Sequence, residues 1–354
     1  MPTHCPQHLV MSHDLDSPEE SKLEFHPTAL ARYPVLDLPN EITSDVFIHF
    51  LPPYPSCPLL SGPCSPIHLT HICRQWRNIA LATPQLWWRA ISLSGIQIPP
   101  ELLDLWLKRT GSLPLSIRID EFEDGTVPDG LNVLCVILPY ISRLEYVQLH
   151  ILNLLRIPAT SEPLRLELPS LRHLDLDLAP ENNFFEIHNA PLLKTAVLDK
   201  NLCYNMSLPW AQLTSLTLRF ISPVDCQLLL KATNLVACRL DFVGDPYDED
   251  EDTISDLIRL AHLESLSITG LWHTASTPPN LLDSFSAPKI RDLDIPETFL
   301  HPNYVDALSR FMKRSEGCTS LQRIRITGRM EVSEHAYRSA FPNIPNLIGF
   351  SLVF

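Results

Sequence analysis

The sequence predicts an α/β chain in two parts: a small three-helix unit near the N-terminus, then a curved solenoid on a parallel sheet, with helices and loops on its convex side. Three observations predict it. In residues 38–88 apolar side chains recur at three- and four-residue spacing, in short runs punctuated by proline. From Leu144 onward a Leu-x-x-Leu-x-Leu pattern recurs nine times. Proline is abundant (33) and glycine scarce (10), against a usual proline share of about 5%, a mix that favours short elements joined by stiff connections.

Residues 1–32 are polar, with scattered His and Pro, and are expected to be disordered. Ser17-Pro18-Glu19-Glu20 has the form of a capping box for a short helix through Phe25, but no apolar period sustains it. The helical unit is expected over residues 33–92, a helix and a first strand over 93–143, and the repeats over 144–354. Leu38-Pro39-Asn40-Glu41-Ile42 opens the first strong helix, whose Ile42, Val46, Phe47, Phe50 and Leu51 read as one apolar face. Residues 52–66 hold six prolines with Cys57, Gly62 and Cys64, and predict a rigid irregular loop. The run over 65–80 then predicts one helix. Ser65 is its N-cap and Pro66 its first residue. Leu69, Ile72, Cys73, Trp76, Ile79 and Ala80 form its stripe, opposite His68, Arg74, Gln75, Arg77 and Asn78. Thr83-Pro84 stops it and starts a short helix carrying Leu86, Trp87 and Trp88. Helices this short cannot stand alone in water, so their apolar faces must meet something.

These offsets carry a resemblance. Leu38-Pro39-x-Glu41-Ile42 with Val46-Phe47, a variable loop, then Ile72-Cys73-Arg74-x-Trp76-Arg77-x-Ile79-Ala80-x-x-Thr83-Pro84-x-Leu86-Trp87 resembles an F-box. Tyr33-Pro34-Val35-Leu36-Asp37 before it, and Leu105-Trp106-Leu107-Lys108-Arg109-Thr110-Gly111-Ser112-Leu113-Pro114-Leu115 after it, resemble large families of fungal F-box proteins. The proline-rich insertion departs from the compact F-box. The resemblance implies a partner, the Skp-type adaptor of cullin–RING ubiquitin ligases, docked through Leu38, Pro39, Ile42, Phe47, Ile72 and Trp76.

The repeats start at Leu144, Leu171, Leu193, Leu213, Leu235, Leu263, Ile290, Leu321 and Leu347. Leucine-rich repeats run about 20–29 residues, and every interval but one fits that period. An alternating strand, Leu115-Ser116-Ile117-Arg118-Ile119, begins the stack, and return helices are expected over 131–140, 253–261 and 303–313. The Asn that usually follows the motif is mostly missing, so the repeats are irregular. Residues between and after the strand leucines project from the concave sheet. They are Gln148, His150, Asp175, Asp177, Asp199, Thr217, Arg219, Arg239, Asp241, Ser267, Thr269, Asp294, Arg325 and Thr327. This strip is acidic at first, then basic around Arg219 and Arg239, and suits an unidentified target protein. Both arginines would either take a carboxylate or phosphate of that target, or be solvated or pair with Asp241.

Other functions find little support in the residues. A net charge of −14 disfavours nucleic acid, which needs a cationic surface. The acidic run over 245–252 lacks EF-hand spacing and reads as a solvated loop. Nine cysteines, several at apolar positions, and no secretory signal predict a reducing compartment, cytoplasmic or nuclear. The longest apolar run, over 133–141, is far short of the roughly 20 residues of a membrane helix, so a soluble protein is expected. Cys57, Cys64, His68, His71 and Cys73 match no standard zinc spacing, and no phosphate loop, nucleophile elbow or zincin helix occurs. No metal or cofactor, and no enzyme, is expected. The reading is a substrate receptor of a ubiquitin ligase. The alternative is a leucine-rich scaffold whose F-box-like segment only caps the first repeat.

Overall fold

A computed structural model describes residues 34–54, 56–58, 62, 64–88, 99–120, 135–151, 164–178, 185–243, 257–271, 281–316, 320–328 and 331–349. The chain divides into two units, Met1–Pro39 and Asn40–Phe354. In the first, Pro34–Asp37 makes a 3-10 turn with no buried residue. The disorder expected for residues 1–32, the capping box at Ser17 and the acidic run over 245–252 lie outside the described residues.

Among the described residues, the second unit opens with the helices α1 (Asn40–Phe50), α2 (Pro66–Thr70), α3 (Arg74–Leu81) and α4 (Pro100–Arg109). The single helix expected over 65–80 is two. Ser65 caps α2 as predicted, its hydroxyl accepting from the Ile67 N–H. The chain then breaks at Cys73, whose backbone is extended and whose Sγ caps α3 by accepting from the Trp76 N–H at 3.4 Å. Arg77 Nε donates to the Thr70 carbonyl at 2.7 Å, so a carbonyl left open at the end of α2 is satisfied from the next helix. Two tryptophans weld these helices to α4 and the sheet. The Trp87 indole donates to the Ala80 carbonyl at 2.9 Å, and the Trp106 indole of α4 to the Trp87 carbonyl at 3.0 Å. Their rings meet edge to face at 4.9 Å. The Trp88 carbonyl then receives the Ser116 N–H, at the start of the sheet.

The strands are β1 (Leu115–Asp120), β2 (Leu144–Ile151), β3 (Leu164–Glu167), β4 (His173–Leu178), β5 (Phe185–Asn189), β6 (Thr195–Asp199) and β7 (Ser215–Ile221). They continue as β8 (Ala237–Val243), β9 (Ile258–Arg259), β10 (Ser265–Leu271), β11 (Phe285–Ser286), β12 (Asp292–Pro296), β13 (Arg323–Thr327) and β14 (Asn346–Gly349). Ten form one parallel sheet in the order β1-β2-β4-β6-β7-β8-β10-β12-β13-β14, and β3–β5 and β9–β11 make two-stranded parallel ribbons in the return segments. Among the described residues, the helices α5 (Lys200–Asn205), α6 (Tyr304–Arg314) and α7 (Glu334–Ala340) sit in the returns. The fold is thus mixed α/β on a ten-stranded parallel sheet whose neighbours follow chain order.

The expected pattern sets the register. Val147, Leu174, Ala196, Leu216, Cys238, Leu266, Leu293 and Ile324 stand opposite one another across successive strands, and all are buried. The leading residues of these eight repeats, Leu144 to Leu321 in chain order, form a second buried row. The ninth repeat needs correction. Ile324 pairs with Leu347, so Leu347 holds the second apolar position and Ile344 the first. Ile344 makes the turn typical of the leading residue, its N–H reaching the Phe341 carbonyl three residues back, as Leu171 does with Leu168 and Leu193 with Ala190. Among the expected return helices, the one over 303–313 is α6. The one over 253–261 is overturned where described, since Ile258–Arg259 is the strand β9; residues 253–256 lie outside the described residues. Of the one over 131–140, residues 135–137 are α-helical, Leu138–Arg143 continues as a 3-10 helix, and residues 131–134 lie outside the described residues.

Buried charge serves these returns. Asp225 accepts from the Ser222 N–H at 2.7 Å and the Tyr204 hydroxyl at 2.6 Å. Glu297 accepts from the Val332 N–H at 3.2 Å, from the Glu331 N–H and from the Tyr337 hydroxyl at 2.9 Å. Each carboxylate replaces hydrogen bonds that irregular backbone cannot make for itself.

Candidate functional site

Two surfaces carry the residues singled out by the sequence. On α1, the one apolar face expected is two. Thr43 and Phe47 are buried, as is Leu51 just past the helix, whereas Ile42 is 49% exposed and Val46 55%. A helix turns 100° per residue, so positions 43 and 47 point inward while 42 and 46, four apart, share the outer side. Phe47, expected to meet a partner, is 1% exposed, with Trp76 packed edge to face on it at 4.9 Å. Phe47 is core, and Trp76 is half-buried against it. Ile72, in the turn between α2 and α3, is 51% exposed. In the other unit Leu38 and Pro39 are exposed as well. Val46 is the outward residue absent from the expected docking set. Its position four after Ile42 is the available signal.

The second surface is one face of the sheet. Side chains alternate along each strand, so Arg118, Gln148, Asp175, Val197, Thr217, Arg239, Ser267, Asp294 and Arg325 make one row. Asp120, His150 and Asp177 lie two residues further along their strands, as do Arg219, Asp241 and Thr269.

The early strands hold a connected charge network. His150 lies between two carboxylates, with Nδ1 3.1 Å from Asp120 Oδ1 and Nε2 3.1 Å from Asp175 Oδ1. Arg219 reaches back from β7 to the same Asp175 oxygen at 3.1 Å, and Arg118 Nε donates to Asp120 at 2.6 Å. Gln148 joins through His150 at 3.4 Å and the Tyr146 hydroxyl at 3.3 Å. The partner of Arg219 is therefore Asp175 and not Asp241. Asp175 itself is buried. The bond to Asp120 is the first cause that holds the Arg118 guanidinium above its ordinary pKa.

Further along, Arg239 Nε donates to Asp241 Oδ1 at 3.0 Å, and the Thr269 hydroxyl donates to the same oxygen. Arg325 reaches Asp294 at 3.5 Å and Arg323 reaches Asp292 at 3.0 Å. Burial raises the Asp294 carboxyl, against the pull of Arg325, Arg323 and Arg239. Asp199 leaves the expected set. It is buried and caps α5, accepting from the Leu202 N–H at 2.8 Å. Asp177 is half-exposed beside His150. Arg118 and Asp120 complete the network and are absent from the expected set, although they hold the outward positions of the first strand.

These groups can bind, through charge and hydrogen bonds, a partner laid over the sheet. Among the described residues, no group of three or more His, Cys, Asp or Glu is placed to hold a metal ion. Among them also, no helix is long and apolar enough to cross a membrane. No protein-family model and no curated protein matches the chain.

Proposed function

We propose that the chain is the substrate-recognition subunit of an SCF-type (cullin–RING) ubiquitin ligase. Its helical unit is an F-box that docks a Skp-type adaptor, and its strand array is a set of irregular leucine-rich repeats that binds a target protein. Catalysis in such an assembly is proximity: the receptor raises the effective concentration of the target and supplies no reacting group. The observation that carries the reading is the outward placement of Ile42, Val46 and Ile72 on a unit too small to spare apolar surface. In a pull-down with a recombinant Skp-type adaptor, the full chain is expected to be captured. Ile42→Asp with Val46→Asp should cut capture at least tenfold while leaving thermal unfolding unchanged, since both side chains are exposed. Equal capture of variant and parent would sink the assignment.

One observation favours a second reading, a leucine-rich interaction scaffold without a ubiquitination role. The helical unit seals the start of the sheet through Trp87, Trp88 and Trp106, as a terminal cap does. A parent chain that captures no adaptor selects it.

A further inference from the structure

Between α1 and α2, Tyr54 and Cys57 of the proline-rich segment lie at the sheet. The Tyr54 ring stacks on Trp88 at 5.9 Å, with the planes 10° apart. Since the Trp88 carbonyl receives the Ser116 N–H, this stack stands at the first residues of β1. The Tyr54 phenol lies beside Ser116 and within electrostatic reach of Glu145 and Arg172. Three residues on, Cys57 is half-buried within electrostatic reach of Arg118 and Asp120, and Pro58 is buried. Tyr146 of β2 is within reach of both Tyr54 and Cys57. Arg118 and Asp120 belong to the charged face of the sheet, and Tyr146 joins its network through Gln148. Burial pushes the Cys57 thiol up to about 12, with Arg118 opposing and Asp120 adding to the rise. Proline restricts the free chain, so holding such a segment against a surface loses little entropy.

We propose that Tyr54 and residues 56–58 form a built-in strap, lying across the β1–β2 end of the exposed sheet face and closing that end to a bound partner. A partner then meets the face from β4 onward. That consequence rests on the proposed receptor function; the strap itself does not.

The test is alkylation of the full chain by N-ethylmaleimide, followed residue by residue by mass spectrometry. Cys135, which is exposed, is the reference, and the buried Cys203, Cys226 and Cys238 report that the fold is intact. Cys57 is expected to react at least tenfold more slowly than Cys135. Tyr54→Ala, which removes the stacked ring, should speed Cys57 several-fold with the buried three still protected, whereas Tyr54→Phe keeps the stack and stays slow. Reaction of Cys57 at the Cys135 rate in the parent chain overturns the strap. So does a Cys57 rate unmoved by Tyr54→Ala, which would show that the stack does not hold the segment on the sheet. Should Tyr54→Ala open the buried three, the parent Cys57 to Cys135 ratio alone decides. Adaptor capture plays no part in these rates, so a failed strap and a failed ligase reading are told apart.

Discussion

The His173 ring stacks on Tyr146 at 4.2 Å, with the planes 5° apart, and its Nε2 is buried with no hydrogen-bond partner among the described residues. Burial lowers its pKa, while the Asp175 carboxylate pulls the other way. A folded-state value below the unfolded one of about 6.5 means that the unfolded chain binds the proton more readily. The stability tied to a neutral His173 is therefore fully present above that pH and is lost as pH falls toward the folded value. The melting temperature is expected to drop between about pH 7.5 and 5.5, a window set around that unfolded value, and to drop less in His173→Phe, which keeps the stack without the charge. Equal drops would clear His173 of the effect. At this scale the sequence is least informative. Ile42 and Phe47 look alike as apolar letters, and only the helix phase sends one outward and the other in. Asp175 and Asp177 are both outward acids, yet Arg219 and His150 reach the first, because side-chain reach across strands leaves no mark in a linear spacing.

Whole elements are far more legible. Ser65-Pro66 marks the start of α2, and the 27- to 28-residue spacing around Leu235, Leu263 and Ile290 places β8, β10 and β12. Errors arise where a side chain stands in for backbone. Cys73 reads as part of a stripe but caps α3, and Asp199 reads as a surface acid but caps α5. In the last repeat, Leu347-x-x-Phe350 imitates the motif three residues too late, and the turn at Ile344 shows the true start. Replacing Asp199 by Ala removes the cap of α5 and is expected to destabilise the fold by about 1 kcal/mol, the usual cost of losing such a cap. Urea unfolding measures it. A loss of target binding at unchanged stability would instead return Asp199 to the binding face.

Across the whole molecule, strand neighbours in the sheet follow chain order, so its pairings join segments close in sequence. That locality is why the period can be read at all. It also sets a stability profile: each strand leans on its neighbours, so the interior strands are held from both sides and the last from one. In native-state hydrogen exchange, amides of β7 and β8 are expected to be the slowest and those of β14 the fastest among the ten strands. Uniform protection across the sheet would contradict this. The net charge of −14 says nothing of these pairings, which depend on apolar rows and backbone alone. Among the described residues, β1 and β14 are the terminal strands of the sheet, and the Ser116 N–H of β1 reaches the Trp88 carbonyl beyond it. The outer N–H and C=O groups of a terminal strand are a template for another strand, so a strand added beside β14 would continue the sheet in the direction in which the repeats already run.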